Sequence, residues 1–315
     1  MDFAAAHADL PTGDYVAPDL AVILPDAAFP HMVRGNVADN DWRYLRRHIP
    51  HIWYVDARSP QMGFVSRDEA AILYNQALAF AGQSALEIGC WRGWSSVHLA
   101  AGGVMLDIID PALADAAHRD DVAGVMERAG VRANVRLHPC ASPDGLANVA
   151  AARGTPWSLA FIDGDHEGAA PSRDALAVLP HMADDCAILL HDVASPDVAA
   201  ALYVLEGAGF NIRLFQTMQI MAIAWRGRAV PVAHRPDPTI DWELPHHLLG
   251  WPISGVSQRG WSVAQRDALA ASHAALSTVQ AAHDHAQAML GHMEQRAQAA
   301  ERGLTARLLR RLRGG

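Results

Sequence analysis

Between residues 66 and 226, short apolar runs alternate with stretches whose apolar positions recur every three or four residues. The apolar runs predict strands, and the stretches with the longer period predict helices. Predicted strands cover 84–89, 103–109, 134–139, 157–162, 186–191, 210–215 and 219–225, and predicted helices cover 66–81, 94–101, 113–129, 145–153, 168–182 and 196–208. Ser66 and Glu69 form a capping box at the start of the first helix.

The order of these elements predicts an α/β fold with a doubly wound sheet of seven strands. Strands that are separated by helices pair in parallel through crossover connections. The last two strands are separated only by residues 216–218, a length that predicts an antiparallel hairpin. We therefore expect a mostly parallel sheet that ends in one reversed strand.

The regions on either side of this pattern differ from it. Residues 1–65 have weak periodicity and predict an irregular lead segment with one short helix around 41–47. Residues 229–261 are rich in Pro and Trp and predict an extension that follows the domain at 66–228. Residues 262–315 predict a long helix. Its alanine-rich heptads indicate a weak coiled coil and a possible homo-oligomer. Its basic, amphipathic end suits weak peripheral contact with a membrane.

Composition limits the classes of partner. The chain has 315 residues, 51% of them hydrophobic, which is enough for one domain of about 170–220 residues plus flanking segments. Its net charge of −9 argues against a nucleic-acid partner. No apolar run reaches the roughly 18 residues of a transmembrane segment, and the N-terminus has no secretory signal pattern. Three cysteines at unrelated spacings predict reduced thiols and a cytoplasmic protein.

The most informative stretch is 84–96, which predicts a buried strand, a glycine turn and the start of a helix. Gly89 and Gly93 would let backbone N–H groups and a helix N-terminus approach a ligand. Glu87 lies just before the turn, where it would repel a phosphate, and it suits the positively charged amino group of S-adenosylmethionine (SAM). Asp110 ends the next apolar run, roughly 20 residues after the turn, where doubly wound folds bind a ribose diol.

The motif formed by Glu87, Gly89 and Gly93, followed by Ser95, resembles that of class I SAM-dependent methyltransferases. The resemblance implies that the turn glycines pass under the methionine moiety and that Ser95 holds its carboxylate. It also implies the reversed strand at the end of the sheet, which the NAD-binding version of this fold lacks. Trp91 stands where many members have Gly, a departure that is common in O-methyltransferase branches.

Residues 140–144 follow the third predicted strand of the sheet. They resemble the turn that small-molecule O-methyltransferases place against the adenine ring, and the resemblance assigns that role to Ser142. With Glu87, Gly89, Gly93, Ser95 and Asp110, this completes the expected set of SAM-binding residues.

Two further polar clusters follow neighbouring strands of the predicted sheet. Asp163 and His166 come after the fourth strand, and His191 and Asp192 come after the fifth. The ends of adjacent strands lie about 5 Å apart, so Asp163 could share one cation with His191 or Asp192.

These clusters resemble metal-dependent O-methyltransferases, especially the branch that acts on sugar hydroxyls of natural products and its hydroxylase-named relatives. The resemblance implies that Asp163 and the pair at 191–192 bind a divalent metal such as Mg²⁺ or Mn²⁺, and that His166 is the general base. Members commonly have Asp or Glu in place of His191, and imidazole suits Mn, Fe, Ni or Zn better than Mg. The metal is therefore a softer one, or His191 is not a ligand and the metal rests on Asp163 and Asp192 with waters, or the enzyme is metal-free and uses His166 and His191.

The resulting hypothesis is a SAM-dependent methyltransferase that acts on a hydroxyl group of a sugar or other small molecule. One alternative is a metal-independent methyltransferase in which His191 and Asp192 are structural. A second is a Rossmann oxidoreductase that uses NAD, against which Glu87 and the absence of a Gly-x-Gly-x-x-Gly motif both argue. A third is a non-catalytic adaptor that acts through the helix predicted at 262–315.

Overall fold

The computed structural model describes residues 3–256, so the helix, the coiled coil and the basic end predicted within 262–315 lie outside the described residues. The strands are β1 (Ala4–Ala5), β2 (Val22–Ile23), β3 (Met32–Arg34), β4 (Tyr54–Asp56), β5 (Ser59–Gly63), β6 (Ser84–Ile88), β7 (Met105–Ile109), β8 (Val135–His138), β9 (Trp157–Ile162), β10 (Met182–Leu190), β11 (Asn211–Phe215) and β12 (Met221–Arg226). The α-helices are α1 (Arg67–Leu78), α2 (Trp94–Ala101), α3 (Ala116–Arg128), α4 (Leu146–Arg153), α5 (Ala170–Val178) and α6 (Pro196–Gly207).

A seven-stranded sheet runs through the centre of the fold in the order β11-β12-β10-β9-β6-β7-β8. The five strands from β10 to β8 pair in parallel, whereas β12 is antiparallel to both β10 and β11. The predicted mixed α/β fold with a large, mostly parallel sheet is confirmed, and so is the hairpin at its end. The predicted elements between 66 and 226 are all present, with small shifts at their ends.

The central strands are buried at nearly every position and are mostly apolar, because helices cover both faces of the sheet. In β9, Phe161 is buried in the hydrophobic cluster on one face, while its neighbours Ala160 and Ile162 are buried in the cluster on the other face. Such burial on both sides holds the carboxyl ends of β6, β9 and β10 rigidly side by side, and the site is built on those ends.

The N-terminal segment departs from the prediction. Instead of an irregular lead it contains two small sheets, β1-β2 and β3-β4-β5. The helix predicted at 41–47 was wrong, because that stretch forms turns. The Asn40 side chain accepts a hydrogen bond from the Trp42 N–H at 2.6 Å, and the Arg47 guanidinium donates to the carbonyl oxygens of Val37 and Trp42. These local side-chain bonds satisfy the backbone in a non-helical conformation.

The chain after β12 returns along the edge of the sheet. The Leu214 N–H donates to the Pro252 carbonyl at 2.7 Å, and the Ser254 N–H donates to the Leu214 carbonyl at 2.9 Å. Earlier in the same segment, His234 Nε2 lies 2.8 Å from Asp68 Oδ2, and both side chains are buried. Residues 229–256 therefore cover part of the β11 edge and are anchored to the start of α1.

The described part of the chain has two further properties that bear on the sequence predictions. None of its helices combines the length and the apolar character that crossing a membrane requires. Cys90, Cys140 and Cys186 are all free thiols, as predicted. Burial raises the pKa of the Cys90 and Cys186 thiols, so both are un-ionised at neutral pH.

Candidate active site

A cleft of about 630 Å³ opens at the carboxyl ends of β6, β7, β9 and β10. Ligands of open α/β sheets bind at this edge. Most of the residues that the sequence predicted for cofactor, metal and catalysis line the cleft, namely Gly89, Ser95, Asp110, Ser142, Asp163, His166, His191 and Asp192. Met62, Phe64 and Val65 of the N-terminal segment form part of its wall. The cleft thus brings the cofactor motif and both polar clusters into one space.

The glycine turn after β6 has the backbone geometry that its glycines predict. Gly89 and Gly93 have φ angles of 82° and 85°, in the left-handed region that favours glycine. A β-carbon on Gly89 would lie 2.2 Å from the main-chain oxygen of Asp163, so no larger residue fits without a shift of the backbone. The glycine turn therefore packs directly against the strand end that carries Asp163. Gly93 is the N-cap residue of α2 and lies outside the cleft lining.

Asp110 ends β7 and lines the cleft beside the turn. Its carboxylate accepts hydrogen bonds from the N–H groups of Cys90 at 3.0 Å, Trp91 at 3.3 Å and Ala112 at 2.8 Å. The Asp110 side chain thus holds the glycine turn in shape, and its role toward ribose stays a prediction.

Glu87 lies beneath the turn rather than on the cleft wall. It is fully buried, and its two carboxyl oxygens are hydrogen-bonded to the hydroxyl groups of Ser95, at 2.6 Å, and Ser96. Burial raises the pKa of Glu87 to about 8, although the two serine hydroxyls act in the opposite direction. At neutral pH its carboxyl group is therefore mostly un-ionised and braces the start of α2. The roles predicted for Glu87 and Ser95 toward SAM stay predictions.

Ser142 lies on the far side of the cleft from β10, after β8. Its hydroxyl donates a hydrogen bond to Asp174 Oδ1 at 2.7 Å. Burial raises the pKa of Asp174, and the bond from Ser142 opposes that shift. Both residues line the cleft, so the place predicted for adenine has a polar wall.

Asp163, His191 and Asp192 converge where β9 and β10 end. One possible ligand atom from each lies within 4.8 Å of the other two. His191 Nδ1 is 3.3 Å from Asp163 Oδ1 and 3.2 Å from Asp192 Oδ2. The strand order thus brings Asp163, His191 and Asp192 together, as expected from the sequence. Two carboxylates and one imidazole form a donor set that a divalent metal ion can use.

His166 stands at the cleft side of this cluster. Its Nε2 atom lies 3.2 Å from Asp163 Oδ1 and 3.4 Å from Asp192 Oδ2. Burial alone would lower the pKa of His166, but its hydrogen bond to Asp163 and the charge of Asp192 raise it to about 9. In the metal-free protein, His166 is thus a cation at neutral pH.

Two residues that the sequence did not assign to the site stand behind the cluster. Glu69 of α1 is fully buried, and its Oε2 atom lies 3.3 Å from His191 Nε2. The Gln219 side chain donates to Asp192 Oδ1 at 2.9 Å, and its backbone N–H donates to Glu69 Oε1 at 2.8 Å. Burial by itself would raise the pKa of Glu69, but the charge of His191 lowers it to about 2. The capping-box pattern identified Glu69 as a helix-start residue, and nothing in that local pattern signals its contact with His191.

Residues 86–193, about a third of the chain, match a protein family whose model is described as a methyltransferase domain. The matched segment contains the glycine turn, Asp110, Ser142 and both polar clusters. The chain therefore contains a methyltransferase domain, which confirms the predicted resemblance to SAM-dependent methyltransferases. The match argues against the NAD-dependent oxidoreductase among the alternatives that the sequence left open.

Several solved structures are similar to this chain. The O-methyltransferase from Bacillus cereus in complex with SAH is 16% identical with a TM-score of 0.46, over 52% of this chain and 83% of that chain. The O-methyltransferase TomG from Streptomyces achromogenes, involved in tomaymycin synthesis and in complex with SAM, is 18% identical with a TM-score of 0.45, over 52% and 82%. The precorrin-6y C5,15-methyltransferase from Geobacter metallireducens is 15% identical with a TM-score of 0.43, over 52% and 90%. Because these identities are below 25% and the TM-scores are below 0.5, the similarities support no conclusion about the substrate of this chain. No curated protein matches the sequence.

Proposed function

We propose that the protein is a divalent-metal-assisted O-methyltransferase that acts on a hydroxyl group of a sugar or other small molecule. The observation that carries the proposal is the convergence of Asp163, His191 and Asp192 in the cleft that also holds the glycine turn at Gly89. A methyl donor bound at that turn and an acceptor bound at the cluster would share one space.

The chemistry of the cluster fits a cation. Asp163 and Asp192 both approach His191 Nδ1, and Glu69 approaches the other nitrogen of the same ring. Three carboxylates so close together repel one another, and a divalent ion beside Asp163 and Asp192 would offset that repulsion. With one imidazole among the ligands, the set suits Mn²⁺, Fe²⁺ or Zn²⁺ better than Mg²⁺.

The reaction needs a deprotonated oxygen, because an alcohol with a pKa of about 15 is a poor nucleophile while it keeps its proton. A divalent ion, when bound, lowers the pKa of a hydroxyl that it contacts and orients its oxygen. His166 accepts the hydroxyl proton at Nε2, a contribution of about 10²–10⁴-fold. Since Asp163 and Asp192 are what hold the pKa of His166 at about 9, His166 becomes a competent base once a cation offsets their charge.

Methyl transfer itself forms a bond from the acceptor oxygen to the methyl carbon as the bond to the SAM sulfur breaks. The products are a methyl ether and S-adenosylhomocysteine, and the proton remains on His166 until solvent takes it. Gly89 and Asp110 are proposed to hold SAM so that oxygen, methyl and sulfur stand in line. Positioning of this kind supplies much of the remaining rate enhancement.

The proposal is tested by calorimetric titration of the chelator-treated, full-length protein with S-adenosylhomocysteine, with and without Mn²⁺ or Mg²⁺. We expect nucleoside binding and a separate heat of metal binding that is lost in Asp163→Asn. The control Asp165→Asn keeps the metal heat, because that carboxylate accepts a hydrogen bond from the Glu167 N–H and stands outside the cluster. A panel of sugar and small-molecule alcohols with labelled SAM then tests the acceptor. Failure to bind the nucleoside would contradict the cofactor assignment.

A metal-independent methyltransferase is the second candidate, and one observation favours it. A protonated His191 would be ion-paired with Asp163, Asp192 and Glu69 at once, so the cluster can reduce its own charge repulsion. His166 or His191 would then act without a cation. Nucleoside binding together with methyl transfer, but with no metal heat and no effect of a chelator, would favour this candidate over the first.

A further inference from the structure

We propose that Glu69 is a positioning residue that holds the His191 ring with its Nδ1 atom toward the metal site. The inference rests on the proposed function, because it concerns the metal site of that reaction. Glu69 belongs to α1 and does not line the cleft, so it acts through His191 and not on the substrate.

The two nitrogens of His191 face different surroundings. Nδ1 lies beside Asp163 and Asp192 on the cleft side, and Nε2 lies 3.3 Å from the buried Glu69 carboxylate. Nε2 is itself buried and makes no hydrogen bond of regular geometry within the described residues, so Glu69 is its ion-pair partner. An imidazole that keeps its proton on the nitrogen facing a carboxylate presents the lone pair of its other nitrogen to a metal. The arrangement therefore leaves Nδ1 as the metal-facing atom.

Glu69 is held firmly enough to orient a ring. Its Oε2 atom accepts a hydrogen bond from the Ser66 N–H at 2.7 Å, and its Oε1 atom accepts one from the Gln219 N–H at 2.8 Å. The Gln219 side chain bonds to Asp192 and also accepts from the Arg46 N–H at 3.0 Å. One buried network thus fixes the Glu69 carboxylate and one of the two metal-binding carboxylates together.

A fixed imidazole ligand also affects which ion the site prefers. Loss of an outer partner of a metal-binding histidine commonly weakens metal affinity 10–100-fold. The loss from removing Glu69 should be larger for Mn²⁺ or Zn²⁺, which bind imidazole well, than for Mg²⁺, which binds it poorly.

The test is a double-mutant cycle on the full-length protein with Mn²⁺ affinity as its readout, measured by calorimetry. In Glu69→Gln only one side-chain oxygen remains to accept hydrogen bonds from the N–H groups of Ser66, Gln219 and His191. We therefore expect Mn²⁺ binding to weaken about 10–100-fold. In a His191→Ala background the same substitution should have no further effect. The matched control is Ser66→Ala, which removes the hydroxyl that accepts the Glu69 N–H and loosens the same helix end while it leaves the carboxylate in place. Its Mn²⁺ affinity should equal that of the wild type.

Two outcomes overturn the inference while the proposed function stands: unchanged Mn²⁺ affinity in Glu69→Gln, or an equal loss in the His191→Ala background. If the wild type binds the nucleoside but no metal, the metal step of the proposed function fails and the role of Glu69 falls with it. Should Glu69→Gln not fold, ¹⁵N NMR of the wild type loaded with Zn²⁺ decides the matter. Coordination through His191 Nδ1 with a proton on Nε2 supports the inference, and the reverse arrangement overturns it.

Discussion

Two fully buried glutamates, Glu87 beneath the glycine turn and Glu69 behind the cluster of Asp163, His191 and Asp192, differ in charge state: one is un-ionised and the other is a carboxylate. Burial acts on both in the same direction, since a carboxylate loses its hydration in either place. Glu87 meets two serine hydroxyls, and its pKa rises to about 8. Glu69 meets His191, and its pKa falls to about 2. The comparison teaches that the partner of a buried carboxyl group, and not the depth of burial, decides whether it is charged.

The contrast divides the candidate site into two halves, each with a buried glutamate behind it, one un-ionised and one charged. The turn that is proposed to hold SAM is braced by an un-ionised carboxyl group and by backbone hydrogen bonds to Asp110. The strand ends that are proposed to hold the metal are a cluster of carboxylates and imidazoles. Gly89 stands at the boundary, where it packs against the backbone of Asp163.

The largest expected effect comes from making the same Glu→Gln change in both halves. Glu69→Gln removes one partner of a buried ion pair and should lower the free energy of unfolding by about 3 kcal/mol at pH 7. Glu87→Gln replaces a neutral group by a neutral group of the same shape and should cost less than about 1 kcal/mol. Urea unfolding of the metal-free variants measures both values. Equal costs at the two sites would mean that the charge states do not differ.

The pH dependence of stability sharpens the comparison. The pKa of Glu87 is about 8 in the folded protein against an ordinary value of 4.5, so between these values the folded state holds a proton that the unfolded state has lost. This contribution to stability is present below pH 4.5 and is lost as the pH rises through about 8. We expect Glu87→Gln to remove the decline, and Glu69→Gln to keep it. Urea unfolding at several values between pH 5 and pH 9 checks this, and an unchanged slope in Glu87→Gln would contradict it.

The smallest expected effect separates the two serines that contact Glu87. Ser95→Ala and Ser96→Ala should each cost about 1 kcal/mol of stability, because each removes one hydrogen bond. Ser95 lines the cleft, and Ser96 is absent from its lining, so only Ser95→Ala should also weaken S-adenosylhomocysteine binding, by about tenfold. Calorimetry measures the binding. An equal loss in Ser96→Ala would show that both serines act on the cofactor through the shape of the turn.

The strands and helices between 66 and 226 could be predicted from the sequence because their apolar pattern reflects burial against covering layers. The meeting of Asp163, His191 and Asp192 could be predicted for a similar reason, since adjacent parallel strands end at the same edge. The short strands of the N-terminal segment could not, because β1 to β4 have only two or three residues each and β5 contains no apolar run.

Contacts that depend on how elements dock were also beyond prediction. Glu69 meets His191 and Gln219 only because α1 packs where β10 ends and the final hairpin begins. The motif around Glu87 predicted the turn, but its spacing does not tell whether the side chain faces the ligand or the interior. Local sequence patterns predict local structure, whereas Glu69 contacts His191 and Gln219, which lie more than 100 residues away in the sequence.

The backbone bonds between Leu214 and residues 252–254 occupy hydrogen-bonding groups on the outer edge of β11. An uncovered sheet edge offers its N–H and C=O groups to a strand from another copy, which is a common start of aggregation. A chain shortened after residue 228 would expose that edge at Leu214 and would also leave the buried Asp68 carboxylate without His234. Residues 229–256 line no part of the cleft, yet they occupy backbone groups of Leu214 through which β11 could otherwise pair with another strand.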